Sequence, residues 1–174
     1  MTAESNIQTT ITGSSKVNLA NLVGKNGYIP NLNSQVKIDA ISELLEALIE
    51  SGRVPAEHQD EIFQGLLARE ELGSTGIGRG VAVPHAKHES MEKPVGIVGR
   101  SEEGIDFQAL DGQSVDLVFL VVSPVDNEQR LAALKQVSLF VKHMDLCRFL
   151  REASDSKEAY EIFQEAENRL HEVE

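Results

Sequence analysis

The residue best suited to chemistry in this sequence is His85, which follows a glycine-rich segment. Glycines stand at positions 73, 76, 78 and 80, and the apolar residues 81–83 then lead into Pro84. Glycines allow the backbone to fold tightly and to approach a ligand closely, and a proline restricts its own backbone and that of the preceding residue. The pattern of Gly76, Gly78, Gly80 and Pro84 therefore predicts an imidazole held rigidly at the end of a strand, beside a glycine-rich wall.

A rigidly held neutral imidazole is a good nucleophile towards phosphorus, because one ring nitrogen keeps a free lone pair near neutral pH. Backbone N–H groups of a glycine-rich turn can hold the phosphoryl oxygens. Arg69, Thr75 and Arg79 are close enough in sequence to add further donors. The predicted chemistry is reversible phosphoryl transfer on His85, for which we expect neither a metal nor an organic cofactor.

Other sites that use glycine or histidine fit this segment less well. The Lys-Ser/Thr pair of a Walker loop is missing, and the acidic ribose partner of a dinucleotide site is not evident. His85 and His88 have the spacing of metal ligands on a helix, but no clear third ligand is near in sequence, and Pro84 argues against a preceding helix. We therefore expect no metal site. A histidine held only for structural reasons is the remaining alternative.

The apolar periodicity predicts which elements surround this segment. Helices are expected over residues 35–51, 56–71, 127–142, 146–152 and 156–170, and strands over residues 28–32, 81–83, 95–100, 104–107 and 115–123. Ser34, Asp126 and Asp155 are the expected N-caps, and Val36 and Leu131 are assigned to buried helix faces. Seven of the nine residues 115–123 are apolar and four of them are valine, which is typical of a central strand buried on both faces. The fold class is therefore α/β, a mixed sheet flanked by helices in a single-domain sandwich.

Composition limits the function classes. Acidic residues outnumber basic ones by 28 to 16 and give a formal charge of -12, which argues against nucleic acid or an anionic membrane as partner and favours a basic protein. With one cysteine, Cys147, no intrachain disulfide can form. We expect no membrane insertion and a cytoplasmic location, since no signal peptide or long apolar run occurs. Residues 1–17 are expected to form a flexible polar arm, and residues 18–170 the domain.

The segments 69–72 (REEL) and 74–85 (STGIGRGVAVPH) strongly resemble the EIIA domains of the bacterial phosphotransferase system. The class is the one that serves fructose and mannitol transport and nitrogen regulation, the type-2 EIIA domains. The resemblance runs from about residue 19 to about residue 167. It implies that His85 accepts a phosphoryl group from the phosphocarrier protein HPr and that Arg69 lies beside the site. His58, His143 and His171 have no motif around them and are expected on the surface.

One departure from the family pattern concerns the helix after the central strand. The family usually has a second active-site histidine there, in a His-Leu-x-x-Leu pattern. Aligning the leucines puts Arg130 at that position, and aligning the preceding Asn-Glu puts Gln129 there. Either residue can donate hydrogen bonds to a phosphoryl group, and arginine does so with a permanent charge. The alternative is that the replacement marks a carrier with reduced or lost activity.

The resemblance leaves the output of the carrier open. Phosphorylation can regulate target proteins, or the phosphoryl group can pass to the cytoplasmic domain of a sugar permease. We favour regulation, of the nitrogen type, because no permease segment is attached. A module that kept the fold but only binds proteins is the alternative from another class.

Overall fold

The structure, a computed structural model, describes residues 17–171, with side chains as far as Leu170. Of the predicted arm, residues 1–16 lie outside the described part, and Val17 packs against the core. The elements in chain order are α1 (Leu19–Val23), β1 (Tyr28–Ile29), α2 (Lys37–Glu50), a 3₁₀ turn (Ala56–His58), α3 (Gln59–Leu72), β2 (Gly76–Gly78), β3 (Val81–Ala82), β4 (His85–Lys87), β5 (Val95–Ile105), β6 (Val115–Ser123), α4 (Asn127–Val141), α5 (Met144–Glu152) and α6 (Ser156–His171).

Strand β6 is the centre of a six-stranded mixed sheet, as its apolar, valine-rich sequence predicts. It pairs antiparallel with β5 on one side, and parallel with β3 and then β4 on the other. Strand β1 extends the sheet beyond β5, and β2 extends it beyond β3. All residues of β6 are buried except Asp116, which is partly buried. The predicted α/β class, with a central strand covered by helices, is confirmed.

The strand expected over residues 81–83 is the shorter β3, and after Val83 and Pro84 a second strand, β4, begins at His85. Strand β3 pairs with Leu117 and Val118 of β6, and β4 pairs with residues 121–123. Pro84 has no N–H to donate to a ladder, so the regular pairing is interrupted there. His85 therefore begins β4, which corrects the prediction that it follows the end of a strand.

Helices cover both faces of the sheet. Helices α2 and α3 bury their apolar sides against one face, in a cluster that includes Ile41, Leu44 and Leu66. Helices α1, α4, α5 and α6 cover the other face. There Phe140 contacts both Phe119 and Phe163 in tilted ring pairs, with centroids 5.8 and 5.6 Å apart. Cys147 is buried in the same cluster, as predicted.

Helices begin at the predicted N-cap residue where its side chain accepts a backbone N–H of the first turn. Asp126 and Asp155 cap α4 and α6 as predicted, since each carboxylate accepts a backbone N–H at 2.9 Å. Ser34 does not cap α2, because its N–H and hydroxyl bind the carboxylate of Glu43, and the helix begins at Lys37. Within the described residues, no helix is both long and apolar enough to cross a membrane.

Candidate functional site

The backbone at His85 is fixed by pairing with the central strand. It is the first residue of β4 and pairs with Val121 of the central strand. The carbonyl of the buried Pro84 accepts the N–H of Val121 at 3.0 Å, so the residue before His85 is also attached to β6. The side chain is partly buried. The imidazole is therefore held by the central strand of the sheet.

A backbone hydrogen bond selects one tautomer of His85. Nδ1 lies 2.8 Å from the carbonyl oxygen of Val83. A carbonyl oxygen can only accept, so in this contact Nδ1 must carry the proton. In the neutral ring Nε2 then has the free lone pair. The nucleophilic atom available to a ligand is accordingly Nε2.

The surroundings keep His85 neutral. Burial lowers the pKa of its imidazole below 6.5, because desolvation disfavours the charged form. The bond to Val83 opposes this pKa shift, whereas the charges of Arg69 and Arg130 lower the pKa further. The carboxylate of Glu70 acts in the opposite direction and raises it. At neutral pH the ring is thus uncharged and lies beside two cationic side chains.

A surface pocket of about 210 Å³ opens onto this ring. Its lining includes Arg69 and Thr75, as the sequence predicts. The full lining comprises Arg69, Ser74, Thr75, Ile77, Val83, His85, Leu134, Val137 and Ser138. Apolar side chains thus alternate with a cation and several hydroxyl groups. Such a lining suits a small anionic group that a protein partner brings to the surface.

Arg69 and Thr75 are positioned by different contacts. Arg69, in the last turn of α3, donates through Nη1 to the carbonyl of Gly73 at 2.9 Å, which holds its guanidinium against the loop. Thr75 is buried, and its hydroxyl donates to the carboxylate of Glu70. Its N–H also reaches both oxygens of Glu70, at 3.2 Å. Thr75 therefore lines the pocket, and its hydroxyl proton is directed to Glu70.

The glycines build the hairpin behind the pocket and do not form its wall, which corrects the prediction. Gly76 and Gly78 lie on β2, and Gly80 lies in the turn to β3 with φ +78°. A Cβ on Gly76 would lie 2.8 Å from Ala109, and one on Gly80 would lie 2.7 Å from Asp116. These positions are glycine because neighbouring segments pack against them and because Gly80 has a left-handed conformation.

Arg79 does not approach His85, contrary to the sequence interpretation. It has a positive φ of 55° in the β2–β3 turn, where its N–H binds Asp111 at 3.0 Å. Its side chain lines a different surface pocket, with Asp116 and Arg151. The carbonyl of Arg79 accepts a hydrogen bond from Arg151 at 2.8 Å. Arg79 thus lines a pocket on another part of the surface and not the pocket of His85.

The structure distinguishes between the two replacements for the family's second histidine. Arg130 lies in the first turn of α4, where Nη2 donates to Asn127 at 2.9 Å, and its charge acts on His85. Gln129 lines a separate pocket with Asn18 and Pro94. It does not share a pocket with His85. Neither residue lines the His85 pocket itself, and it is the charge of Arg130 acting on His85 that favours the alignment placing Arg130 near the site.

Glu70 is a buried charged residue beside the site that the sequence does not single out. It is 7% exposed, and besides Thr75 it pairs with Lys37 of α2 at 3.3 Å. Its partners occupy the carboxylate, which lies close enough to influence the pKa of His85. In the sequence Glu70 and Glu71 are adjacent and equivalent, and only the rotation of α3 shows which one is buried.

Comparison with known proteins identifies the family. A family model described as phosphoenolpyruvate-dependent sugar phosphotransferase system, EIIA 2, matches residues 21–166. The chain belongs to this family. It is therefore an EIIA type-2 domain of the phosphotransferase system, and the phosphoryl-transfer role of that family is its role.

Relatives of this EIIA domain include regulatory and sugar-transport proteins. It is 34% identical to a nitrogen regulatory protein of Bradyrhizobium diazoefficiens, over 83% of this chain and 93% of the relative. It is 35% identical to a fructose-specific EIIA component of Haloferax volcanii, over 74% of this chain and 83% of that one. The crystal structure of nitrogen regulatory protein IIA-Ntr from Neisseria meningitidis superposes with a TM-score of 0.73 and 27% identity, over 83% of this chain and 97% of that one.

Proposed function

We propose that this EIIA domain accepts a phosphoryl group on Nε2 of His85 from the phosphohistidine of HPr. The observation that carries the proposal is the hydrogen bond from Nδ1 of His85 to the carbonyl of Val83 at 2.8 Å. That bond keeps the proton on Nδ1 and leaves the lone pair of Nε2 available. The lowered pKa of His85 supports the same assignment, because the ring remains neutral at physiological pH.

The transfer is an in-line displacement at phosphorus. The lone pair of Nε2 forms the new P–N bond while the P–N bond of the donor phosphohistidine breaks. The electron pair of the broken bond returns to the donor imidazole, and the Nδ1 proton of His85 stays in its bond to Val83. Little covalent chemistry remains for the protein to perform, so positioning and charge stabilisation carry the catalysis. The reverse displacement passes the phosphoryl group to an acceptor.

Arg69 and Arg130 are the proposed stabilising residues for the phosphoryl oxygens. Both charges act on His85, and Arg69 also lines the pocket. Arg130 lies in the first turn of α4, where the helix N-terminus itself favours an anion. A charge-assisted hydrogen bond from guanidinium to a phosphoryl oxygen is worth about 1.5–3 kcal/mol. Thr75, with Glu70, would position the loop that borders the pocket.

The partners we propose are HPr as donor and other phosphotransferase components or regulated proteins as acceptors. The mannitol EIIA of Escherichia coli, which shares the fold at a TM-score of 0.67, has been solved in complex with phosphorylated EIIB. A comparable protein contact fits the rim of the pocket, where Ile77 is 49% exposed. The charge of -12 supports attraction to a basic partner surface.

Regulation of the nitrogen type is the output we favour, and transfer to a fructose-type permease domain is the second candidate. The match to the nitrogen regulatory relative covers 93% of that protein's length, which supports regulation. The fructose-specific relative, at 35% identity, supports the second. Incubating the phosphorylated domain with a fructose-type EIIB domain separates them: rapid transfer supports transport, and retention of the phosphoryl group supports regulation.

The decisive experiment is phosphorylation by phosphoenolpyruvate, enzyme I and HPr, followed by intact-mass measurement. The wild-type chain should gain one phosphoryl group that is lost in acid and stable in base, as a phosphohistidine is. His85→Ala should gain none, and the matched control His143→Ala should gain one. A wild-type chain that gains no mass is a binding module, and a His85→Ala chain that still gains one phosphoryl group contradicts the site assignment.

A further inference from the structure

A second group of titratable side chains lies outside the His85 pocket, where the start of α3 meets the end of β4. His58 ends the 3₁₀ turn, Glu61 lies in the first turn of α3, and His88 directly follows β4. One ligand-type atom from each of the three lies within 4.8 Å of the other two. His58 was expected on the surface with no particular role, but its ring packs against that of His88 in a tilted pair with centroids 4.7 Å apart.

The atoms of this cluster already lie near coordination spacing. Nε2 of His88 is 2.6 Å from Oε2 of Glu61, and Nδ1 of His58 is 3.9 Å from the same oxygen. Ligands of a tetrahedral Zn²⁺ ion at about 2.0–2.1 Å from the metal are about 3.3 Å apart. A change of less than about 1 Å in each of these two distances brings the Glu61 oxygen to that spacing from both imidazoles.

We propose that His58, Glu61 and His88 form a binding site for a divalent transition metal, with Zn²⁺ as the fitting ion. Two imidazoles and one carboxylate form a ligand set that zinc uses, with a remaining position for water. Nitrogen ligands select against Mg²⁺ and Ca²⁺, which prefer oxygen. Carboxylate Oε1 of Glu57, 4.0 Å from Nε2 of His58, adds negative charge beside the site.

The neighbours of His88 provide the orienting partner that a metal-binding histidine needs. Oγ of Ser90 lies 2.7 Å from Nδ1 of His88. When Nε2 binds the ion, the ring proton moves to Nδ1, and the Ser90 oxygen accepts it. The N–H of Ser90, now 3.1 Å from Nδ1, gives up that contact in exchange. The side chain of His88 is 10% exposed, so its ring orientation is largely predetermined.

An ion at this site would connect two elements that carry the phosphoryl site. Helix α3 bears Glu61 near its start and Arg69 eight residues later, which is about 12 Å along the helix axis. Strand β4 begins at His85, and His88 follows its last residue. The cluster shares no lining residue with the His85 pocket. The metal would thus join α3 to β4 without occupying the place of the phosphoryl group.

The site is tested by zinc titration of the full chain, prepared without a histidine tag. We expect one Zn²⁺ per chain, with an apparent melting temperature raised by roughly 5–10 °C at a free zinc concentration about 100 times Kd. Equal concentrations of Mg²⁺ should leave the melting temperature unchanged. Imidazole nitrogen NMR spectra should show shifts at His58 and His88. No saturable zinc binding would overturn the proposal.

Three variants assign the ligands. His58→Gln, Glu61→Gln and His88→Gln should each raise the zinc Kd by about tenfold or more, since each removes a ligand. His143→Gln, which removes a histidine outside the cluster, should keep the wild-type Kd. His58→Gln changes the more exposed ring and serves if His88→Gln folds poorly. Unchanged zinc affinity in His58→Gln and Glu61→Gln would contradict the assignment.

Discussion

His85 and His88 stand at the two ends of one short strand, and their surroundings are opposite. At His85, Nδ1 is bound to a backbone carbonyl, and the charges of Arg69 and Arg130 act on the ring. At His88, Nδ1 meets Ser90, and Nε2 is bound to the carboxylate of Glu61 at 2.6 Å. The first arrangement suits an incoming anion, and the second suits a cation. The partners of both ring nitrogens, more than the residue type, decide what an imidazole can do.

The carboxylates of the two regions differ in the same way. Glu70, near His85, is occupied by Thr75 and Lys37, so it does not hydrogen-bond the imidazole. Glu61 is exposed, and its hydrogen bond to His88 is the main reason why its pKa is lowered. Helix α3 thus supplies a carboxylate to each region, but only Glu61 is left free to bind a histidine.

Replacing His85 and His88 by glutamine, in separate variants, should give the largest difference in the rate of phosphoryl acceptance. His85→Gln should reduce phosphoryl acceptance from HPr by about a thousandfold or more, because the nucleophile is lost. His88→Gln should stay within about twofold of wild type, since His88 lies outside the pocket. The measurement is the rate of phosphohistidine formation in a gel-shift or mass assay. If His88→Gln lost acceptance as well, the two regions would not be independent.

Arg130 gives the next largest effect, on the order of tenfold or more, if one charge-assisted hydrogen bond of about 1.5–3 kcal/mol is lost. Arg130→Ala should slow formation of phospho-His85 or shorten its lifetime, and Arg130→His should restore ordinary transfer. Gln129→Ala is the matched control and should behave as wild type, since Gln129 lines another pocket. Hydrolysis and back-transfer are followed with one donor. If wild type and the three variants behaved identically, Arg130 would not contact the phosphoryl group.

Thr75→Val tests whether the Thr75 hydroxyl is needed to satisfy the buried carboxylate of Glu70. The substitution keeps the shape but leaves the buried carboxylate without its hydroxyl partner, which should cost about 1–3 kcal/mol in the free energy of unfolding. Ser138→Ala removes an exposed hydroxyl of the same pocket and should change that free energy by less than about 0.5 kcal/mol. Urea unfolding measures both. A neutral Thr75→Val would mean that Lys37 alone satisfies Glu70.

The pH dependence of the acceptance rate has the smallest expected effect of the phosphorylation tests. Because burial and two arginines hold the pKa of His85 below 6.5, more than half of the rings are neutral at pH 6.5. The acceptance rate should therefore stay within about twofold of its neutral-pH value at that pH, and should fall only below it. Stopped-flow phosphorylation across this range gives the profile. A midpoint above 6.5 would contradict the lowered pKa.

The same lowered pKa has a consequence for stability. A histidine whose folded-state pKa lies below its unfolded value contributes stability that is present above about pH 6.5 and is lost as the pH falls through the folded-state pKa. His85→Gln should therefore lose less stability than wild type over that acid range, as measured by chemical unfolding at each pH.

Much of the architecture could be predicted from local patterns. Strand β6 has the predicted bounds, residues 115–123, because an almost unbroken apolar run rich in valine favours a strand that is buried on both faces. Asp126 and Asp155 cap their helices because capping depends only on neighbours in the chain. Val36 and Leu131 were assigned to buried faces, yet they are 55% and 59% exposed. Apolar character alone does not show which helix face meets the sheet.

The sequence by itself determined the α/β class, the family and the prominence of His85, because these depend on residue types and on spacings along the chain. Only the tertiary structure decided which groups surround the ring. It shows that the charge of Arg130 acts on His85, whereas Gln129 and Arg79 line other pockets. It also shows that Glu70 accepts the hydroxyl of Thr75. It also brought His58 and Glu61 to His88. Such contacts join residues distant in the chain, and their geometry is set by how helices rotate against the sheet.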